Sequence, residues 1–340
     1  MTTGDTGIRF ARKPRREPAF GCFSWWRTFG WMIWIWAVLG LMPNSANSEP
    51  SELPFRLGFS RDTFGDINEN DAVASVRIWA QMILRNRGIQ ADPQPQIFQN
   101  VHDISAALAN KTVDCVAMGT DKYVEVSGQL DEQHIAVAVV SGSIYEVFVL
   151  LVHRENSIER PGDLRGRKIA LCMSQRTTLA RLWLDMLLDQ ENLGPSNDFF
   201  GEIASTTKIT KAVLPVFFRQ TDACLVSRNG FETMVELNPQ VGQQLKVLAV
   251  SPGYVPTAFF FRKGYASPIR EEIMGEITRW HLDPIARQIL RIFKVDRLEE
   301  STSTCLKSGM ELVAAHKRLC SKIKQDVSNN VTGRAAGRRE

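Results

Sequence analysis

From residue 55 to residue 262, short apolar runs alternate with amphipathic stretches almost without a break. Few folds accommodate that alternation. The runs 113–118, 135–140, 147–152 and 168–172 are short and nearly all apolar, which predicts buried strands. Residues 55–59, 94–98, 201–204, 222–226, 245–250 and 257–262 add further strands. Between them, residues 73–87 place Val76, Trp79, Ala80, Ile83 and Leu84 on one helical face and stop at Gly88. Shorter helices are expected over 103–110, 122–128, 210–219 and 230–237. The result is an α/β chain with open, mainly parallel sheets flanked by helices. After residue 262 the pattern turns helical over 269–280, 286–293 (beyond a break near Pro284) and 310–323. That ending suits packing back onto the first half.

The first 48 residues are of another kind. Arg9, Arg12, Lys13, Arg15, Arg16 and Arg27 precede a run of 14 apolar and aromatic residues, 29–42. A bilayer-spanning helix needs about 20. Ala46 and Ser48 offer small residues at the −3 and −1 positions. Residues 1–48 therefore read as a signal peptide cleaved after Ser48, which would export the body across the membrane. Left uncleaved, the same segment would act as a membrane anchor. Cys22 precedes the apolar run, which argues against a lipid-modified cysteine, and Glu17-Pro18 spoils Arg15-Arg16 as a twin-arginine signal.

This leader carries the whole formal charge of +4: six Lys or Arg against Asp5 and Glu17, leaving 35 basic and 35 acidic residues in the remainder. A neutral exported body argues against nucleic acid or an anionic membrane face as partner. Residues 326–340, with Arg334, Arg338 and Arg339, are expected to be a disordered tail. Cys115, Cys172 and Cys224 lie in apolar runs and read as buried small hydrophobes. Cys305 and Cys320 could pair only if Cys305 precedes the last helix, because 15 residues of helix span about 22 Å. Ser308-Gly309-Met310-Glu311 has the form of a capping box, which would allow that.

Residues 163–188 look most like a site. A Gly166 turn leads into a strand over 168–172, then Ser174, Arg176, Thr177 and Thr178, then a helix with Leu179, Leu182, Trp183, Met186 and Leu187 on one face. Hydroxyls, a guanidinium and free main-chain N–H groups at a helix start suit an oxyanion. The same residues also read as ordinary N-capping. The segment lacks the glycine–lysine pattern of a nucleotide loop. Thr63 and Phe64 follow the first strand, at the edge where open α/β sheets bind ligands. Thr206 and Thr207 precede a helix at the equivalent edge of the second half. Catalysis is not expected. His102, His134, His153, His281 and His316 are scattered, no Cys-x-x-Cys or Gly-x-Ser-x-Gly occurs, and Glu271-Glu272 and Glu299-Glu300 read as solvated helix faces. No metal or cofactor is implied.

Three segments in order carry a family resemblance: Val113 to Val124, with Asp114, Gly119 and Tyr123; Asp163 to Thr178; and Lys211 to Cys224, ending Thr221-Asp222-Ala223-Cys224. Val255-Pro256 follows as a return into the first half. With these the chain resembles the periplasmic substrate-binding proteins of phosphate, phosphite and phosphonate ABC transporters, on the type II periplasmic-binding fold. The resemblance covers residues 54–320. It implies two lobes, 54–145 with 255–325 and 146–254, joined by crossings near 143–153 and 250–258. It implies a monomer that holds a small oxyanion in the interlobe cleft and meets an inner-membrane permease. The implied ligand contacts are Thr63, Phe64, Tyr123, Ser174, Arg176, Thr177, Thr178, Thr206, Thr207 and Asp222. The chain departs from the family at Ser174-Gln175-Arg176-Thr177-Thr178, where Ser-x-Ser-Gly is common, and at Ser205-Thr206-Thr207-Lys208, where a histidine is common. The identity of the anion therefore stays open. A sulfonate, a thiamine-precursor-like ligand or an anchored sensory input module are the alternatives. No kinase, cyclase or DNA-binding pattern follows Ile323, which favours transport.

Overall fold

A computed structural model describes residues 56–65, 68–86, 93–265 and 268–336. The expected signal peptide, residues 1–48, lies outside the described residues. No helix among the described residues is long and apolar enough to cross a membrane.

In chain order the elements are β1 (Leu57–Ser60), α1 (Glu69–Asn86), β2 (Gln96–Phe98), α2 (Val101–Ala109), β3 (Cys115–Gly119), α3 (Thr120–Val126), β4 (Leu130–Val139) and β5 (Phe148–His153). Then come β6 (Lys168–Cys172), α4 (Ala180–Gln190), α5 (Ser196–Phe199), β7 (Glu202–Thr206), α6 (Ile209–Phe217), β8 (Ala223–Ser227), α7 (Arg228–Leu237), α8 (Pro239–Gln244) and β9 (Leu245–Val250). β10 (Thr257–Arg262), α9 (Pro268–Ile277), α10 (Pro284–Ile292), β11 (Arg297–Ser301) and α11 (Lys307–Ala336) complete the chain. The strands form two sheets, β11-β4-β10-β3-β1-β2 and β7-β6-β8-β5-β9.

The inner strands of each sheet are buried on both faces, as their apolar runs require, whereas the edge strand β9 leaves Val247 and Val250 exposed. Along β10, Phe259 and Phe261 join Phe59, Trp79 and Ile289 on one side, while Ala258 and Phe260 join Ile104, Met118 and Tyr123 on the other. Along β6, Ile169 and Leu171 meet Trp183 and Leu184, whereas Ala170 and Cys172 meet Val213 and Val216. This is the two-residue period of a strand. The pairing is mixed. β1 lies parallel to β2 and β3, and β6 lies parallel to β7 and β8. β10 enters the first sheet antiparallel to β3 and β4, and β5 enters the second antiparallel to β8 and β9. Both of these strands directly follow a passage from one sheet to the other, so neither has the crossover helix that parallel neighbours need.

The two passages lie side by side. Glu146 N donates to Tyr254 O at 2.7 Å, and Tyr254 N donates back to Glu146 O at 2.9 Å. Ser251 Oγ accepts from Phe148 N at 2.8 Å.

The chain's end departs from expectation in four ways. Glu299 and Glu300 sit on β11, an edge strand antiparallel to β4, and not on a helix. Edge strands commonly carry charge, and that charge erased the apolar signal. α11 turns Leu312 and Val313 into the core beneath the second sheet, with Leu179 and Trp183, so it does not pack on the first half alone. It also continues to Ala336, through most of the expected tail. Ser308 lies inside α11 and donates to Gly253 O at 2.8 Å, so it is not the helix cap. Cys305 does precede α11, but it and Cys320 are both free thiols.

Candidate functional site

The turn between β6 and α4 is held by one hydroxyl. Thr177 Oγ1 accepts from Ser174 N at 2.7 Å and donates to Cys172 O at 2.7 Å. Thr177 N closes the loop on Ser174 O at 3.0 Å. Thr177 is 2% exposed, so its hydroxyl serves the turn. α4 has no side-chain cap at Leu179. Thr178 Oγ1 is buried without a partner. The first N–H groups of a helix have no intrahelical acceptor and are available to a ligand.

The turn meets the first sheet across a close approach. After β1, residues Arg61–Phe64 form a short 3-10 turn, where Thr63 Oγ1 donates to Ser60 O at 2.6 Å. Gly65 follows at φ +56°, and a β-carbon there would lie 3.3 Å from Gln175 N. Glycine therefore permits both the conformation and the contact. Gln175 Nε2 donates to Phe293 O at 2.7 Å, tying the turn to the end of α10, while its Oε1 is buried without a partner. Arg176 Nε donates to Glu146 Oε2 at 2.6 Å, with the two side chains 14% and 6% exposed. Burial raises the Glu146 carboxyl above its ordinary value and outweighs the opposing pull of Arg176. The pair links the turn to the first passage between sheets.

Beneath this corner lies a cavity of about 150 Å³. Thr63, Gln175 and Arg176 line it together with Ala117, Ala136 and Ala138 of the first sheet. Phe59, Trp79, Phe259, Trp280 and Phe293 supply aromatic walls. The lining is almost wholly apolar apart from its two polar neighbours from the β6–α4 turn and the hydroxyls of Thr63 and Thr257.

The structure thus brings Thr63, Ser174, Arg176, Thr177 and Thr178 to one corner. Phe64 stands behind Thr63, 1% exposed and packed on Phe59 and Phe293. Thr206 abuts the corner through its carbonyl, which accepts from Met173 N at 2.8 Å, and Thr207 beside it is exposed. Tyr123 and Asp222 are not brought there. The Tyr123 ring stacks on Phe260 at 4.7 Å, on the face of the sheet opposite the Phe59 and Phe259 side chains, and burial raises its phenol. Asp222 accepts from Lys168 N at 2.9 Å, at the start of β6 and β8, whereas the turn leaves the other end of β6.

Sequence reasoning missed Gln175, Glu146 and Phe293. Glu146 had a usable signal: a lone acid at a passage between sheets, followed by a wholly apolar strand. Gln175 and Phe293 had none, since their role is a contact between segments 118 residues apart.

Residues 68–304 match the model of a family described as ABC transporter, phosphonate, periplasmic substrate-binding protein. No protein of curated function matches the chain. Among solved structures, XAC2383 from Xanthomonas citri bound to ATP is similar at a TM-score of 0.57 and 14% identity, covering 78% of this chain and 98% of that one. PhnD1 from Prochlorococcus marinus in complex with methylphosphonate gives 0.52 and 16%, covering 76% and 97%. A binding protein component of a phosphonate ABC transporter from Pseudomonas aeruginosa gives 0.53 and 13%, covering 84% and 99%. These likenesses concern the fold.

Proposed function

Because the chain belongs to the phosphonate-binding family of ABC-transporter periplasmic substrate-binding proteins, we propose that it holds a small phosphonate, phosphite or phosphate at the β6–α4 corner and delivers it to a membrane permease. Membership of a periplasmic family implies work outside the cytoplasm. Residues 1–48 serve as the export signal in this reading. Residues 54–145 with 255–325 act as one lobe and 146–254 as the other, and the paired passages at Glu146 and Tyr254 act as the hinge.

Arg176 carries the proposal. Its Nε is held by Glu146, which leaves the two terminal nitrogens of the guanidinium to face an oxyanion in bidentate geometry. The Thr178 and Leu179 N–H groups at the start of α4 add donors from the same turn. Thr63 lines the same cavity from the other half, with its hydroxyl hydrogen directed to Ser60 O at 2.6 Å. Several donors are needed, because one helix end contributes about 0.3–1 kcal/mol while micromolar binding requires about 8 kcal/mol. A ligand bridging the two halves favours their closed arrangement.

The test is a melting-temperature panel of the purified protein with phosphate, phosphite, methylphosphonate and aminoethylphosphonate. Sulfonates and thiamine-like pyrimidines form a second arm. The proposal expects stabilisation by at least one phosphorus oxyanion, lost in Arg176→Ala. Stabilisation only by the second arm, or by nothing, overturns it.

A further inference from the structure

We infer that the ligand of this site carries an aromatic ring on the phosphonate, with the anionic head at Arg176 and the ring in the cavity beneath. The inference rests on the function proposed above and narrows it to one substrate class.

A methylphosphonate would use the corner and leave the space below it unfilled. That space measures about 150 Å³, a volume of the order that admits a benzene ring. Its walls favour an aromatic occupant over an alkyl one. Trp79 stands edge-on to Phe59, Phe259 and Trp280, with centroids 6.4, 6.1 and 4.6 Å away. Edge-to-face geometry is what a further ring would extend. Ala117 and Ala136 pair across the strands with Phe59 and Phe259 on the same sheet face, and with Ala138 they leave room between the rings that larger residues would fill. Charge fixes the orientation. Among the described residues Arg176 is the only charged one in the lining, and it stands on the turn that closes the cavity from the second sheet. An anionic group attached directly to a ring would thus meet the guanidinium while the ring leaves water.

The experiment is calorimetric titration of the purified protein with methylphosphonate, phenylphosphonate and benzyl alcohol, repeated on Arg176→Ala and Ala138→Leu. The expected result is phenylphosphonate binding at least tenfold more tightly than methylphosphonate, with benzyl alcohol far weaker. Arg176→Ala should weaken phenylphosphonate at least tenfold, and Ala138→Leu should remove the difference between the two phosphonates. Methylphosphonate binding as tightly as phenylphosphonate would overturn this inference and leave the proposed function standing. Benzyl alcohol matching phenylphosphonate would overturn the placement of the anionic head. Binding by none of the three would overturn this inference, and the proposed function falls with it only if phosphate and phosphite also fail to bind.

Discussion

Arg176 and Glu146 form an ion pair at 2.6 Å between the β6–α4 turn and the passage that joins the two sheets. The carboxylate is nearly inaccessible, and burial already raises its pKa. The guanidinium therefore neutralises a buried acid while its residue lines the cavity at the corner.

Removing Arg176 should be costly in a pH-dependent way. Arg176→Ala leaves Glu146 buried and unpaired, a loss of roughly 3–5 kcal/mol when the acid is charged. As pH falls, Glu146 takes up a proton and the penalty shrinks. Urea denaturation at pH 8 and pH 5 should show the larger deficit at pH 8. An equal deficit at both would mean the pair contributes packing alone.

Glu146→Gln should act in the opposite direction on binding. The carboxylate competes with a bound anion for Arg176, and the amide keeps its volume without its charge. Phosphonate affinity measured by calorimetry should rise by about tenfold, equivalent to ~1.4 kcal/mol. A fall in affinity would show that Glu146 orients Arg176 more than it competes with the ligand.

A side chain at Gly65 should be costly. Its φ of +56° strains any L side chain, and a β-carbon there would crowd Gln175 N at 3.3 Å. Gly65→Ala is expected to cost about 1–3 kcal/mol of stability by thermal or chemical denaturation. A neutral effect would mean the turn after β1 shifts freely away from Gln175.

Acid should weaken the first sheet through Asp114. This carboxylate is 3% exposed and accepts Arg56 Nε at 2.9 Å, Arg56 Nη2 at 3.0 Å and Arg262 Nη2 at 3.3 Å. Burial opposes its charge, but the two guanidinium groups prevail and hold its pKa below the ordinary value. A depressed carboxylate pKa stabilises the fold above the unfolded value of about 3.9, and that stability is lost as pH falls through the folded value. Asp114→Asn should therefore lower stability at pH 7 by about 1–3 kcal/mol and flatten the loss below pH 4. An unchanged acid limb would assign that loss to other carboxylates.

Much of this was legible in the sequence, for stated reasons. β6 falls on residues 168–172 because a Gly turn and a hydroxyl-rich turn bracket a run whose last four residues are buried, with Lys168 exposed at its start. β11 escaped because Arg297, Glu299 and Glu300 give an edge strand a helix-like polarity. The corner residues Thr63, Ser174, Arg176 and Thr178 were found through their position at strand ends. Tyr123 and Asp222 were drawn from a family pattern, and packing on Phe260 and a bond to Lys168 N turned them to other uses. The cavity's aromatic wall joins residues spread from Phe59 to Phe293, so no local pattern announces it.

The most direct test of the account is a calorimetric titration of wild-type protein and Arg176→Ala with a panel of phosphorus oxyanions and their organic derivatives. The account predicts one-site binding at micromolar strength or better for wild type and no measurable binding for the variant at the same concentrations. Equal binding by both proteins, or heat from none of the ligands, would contradict it.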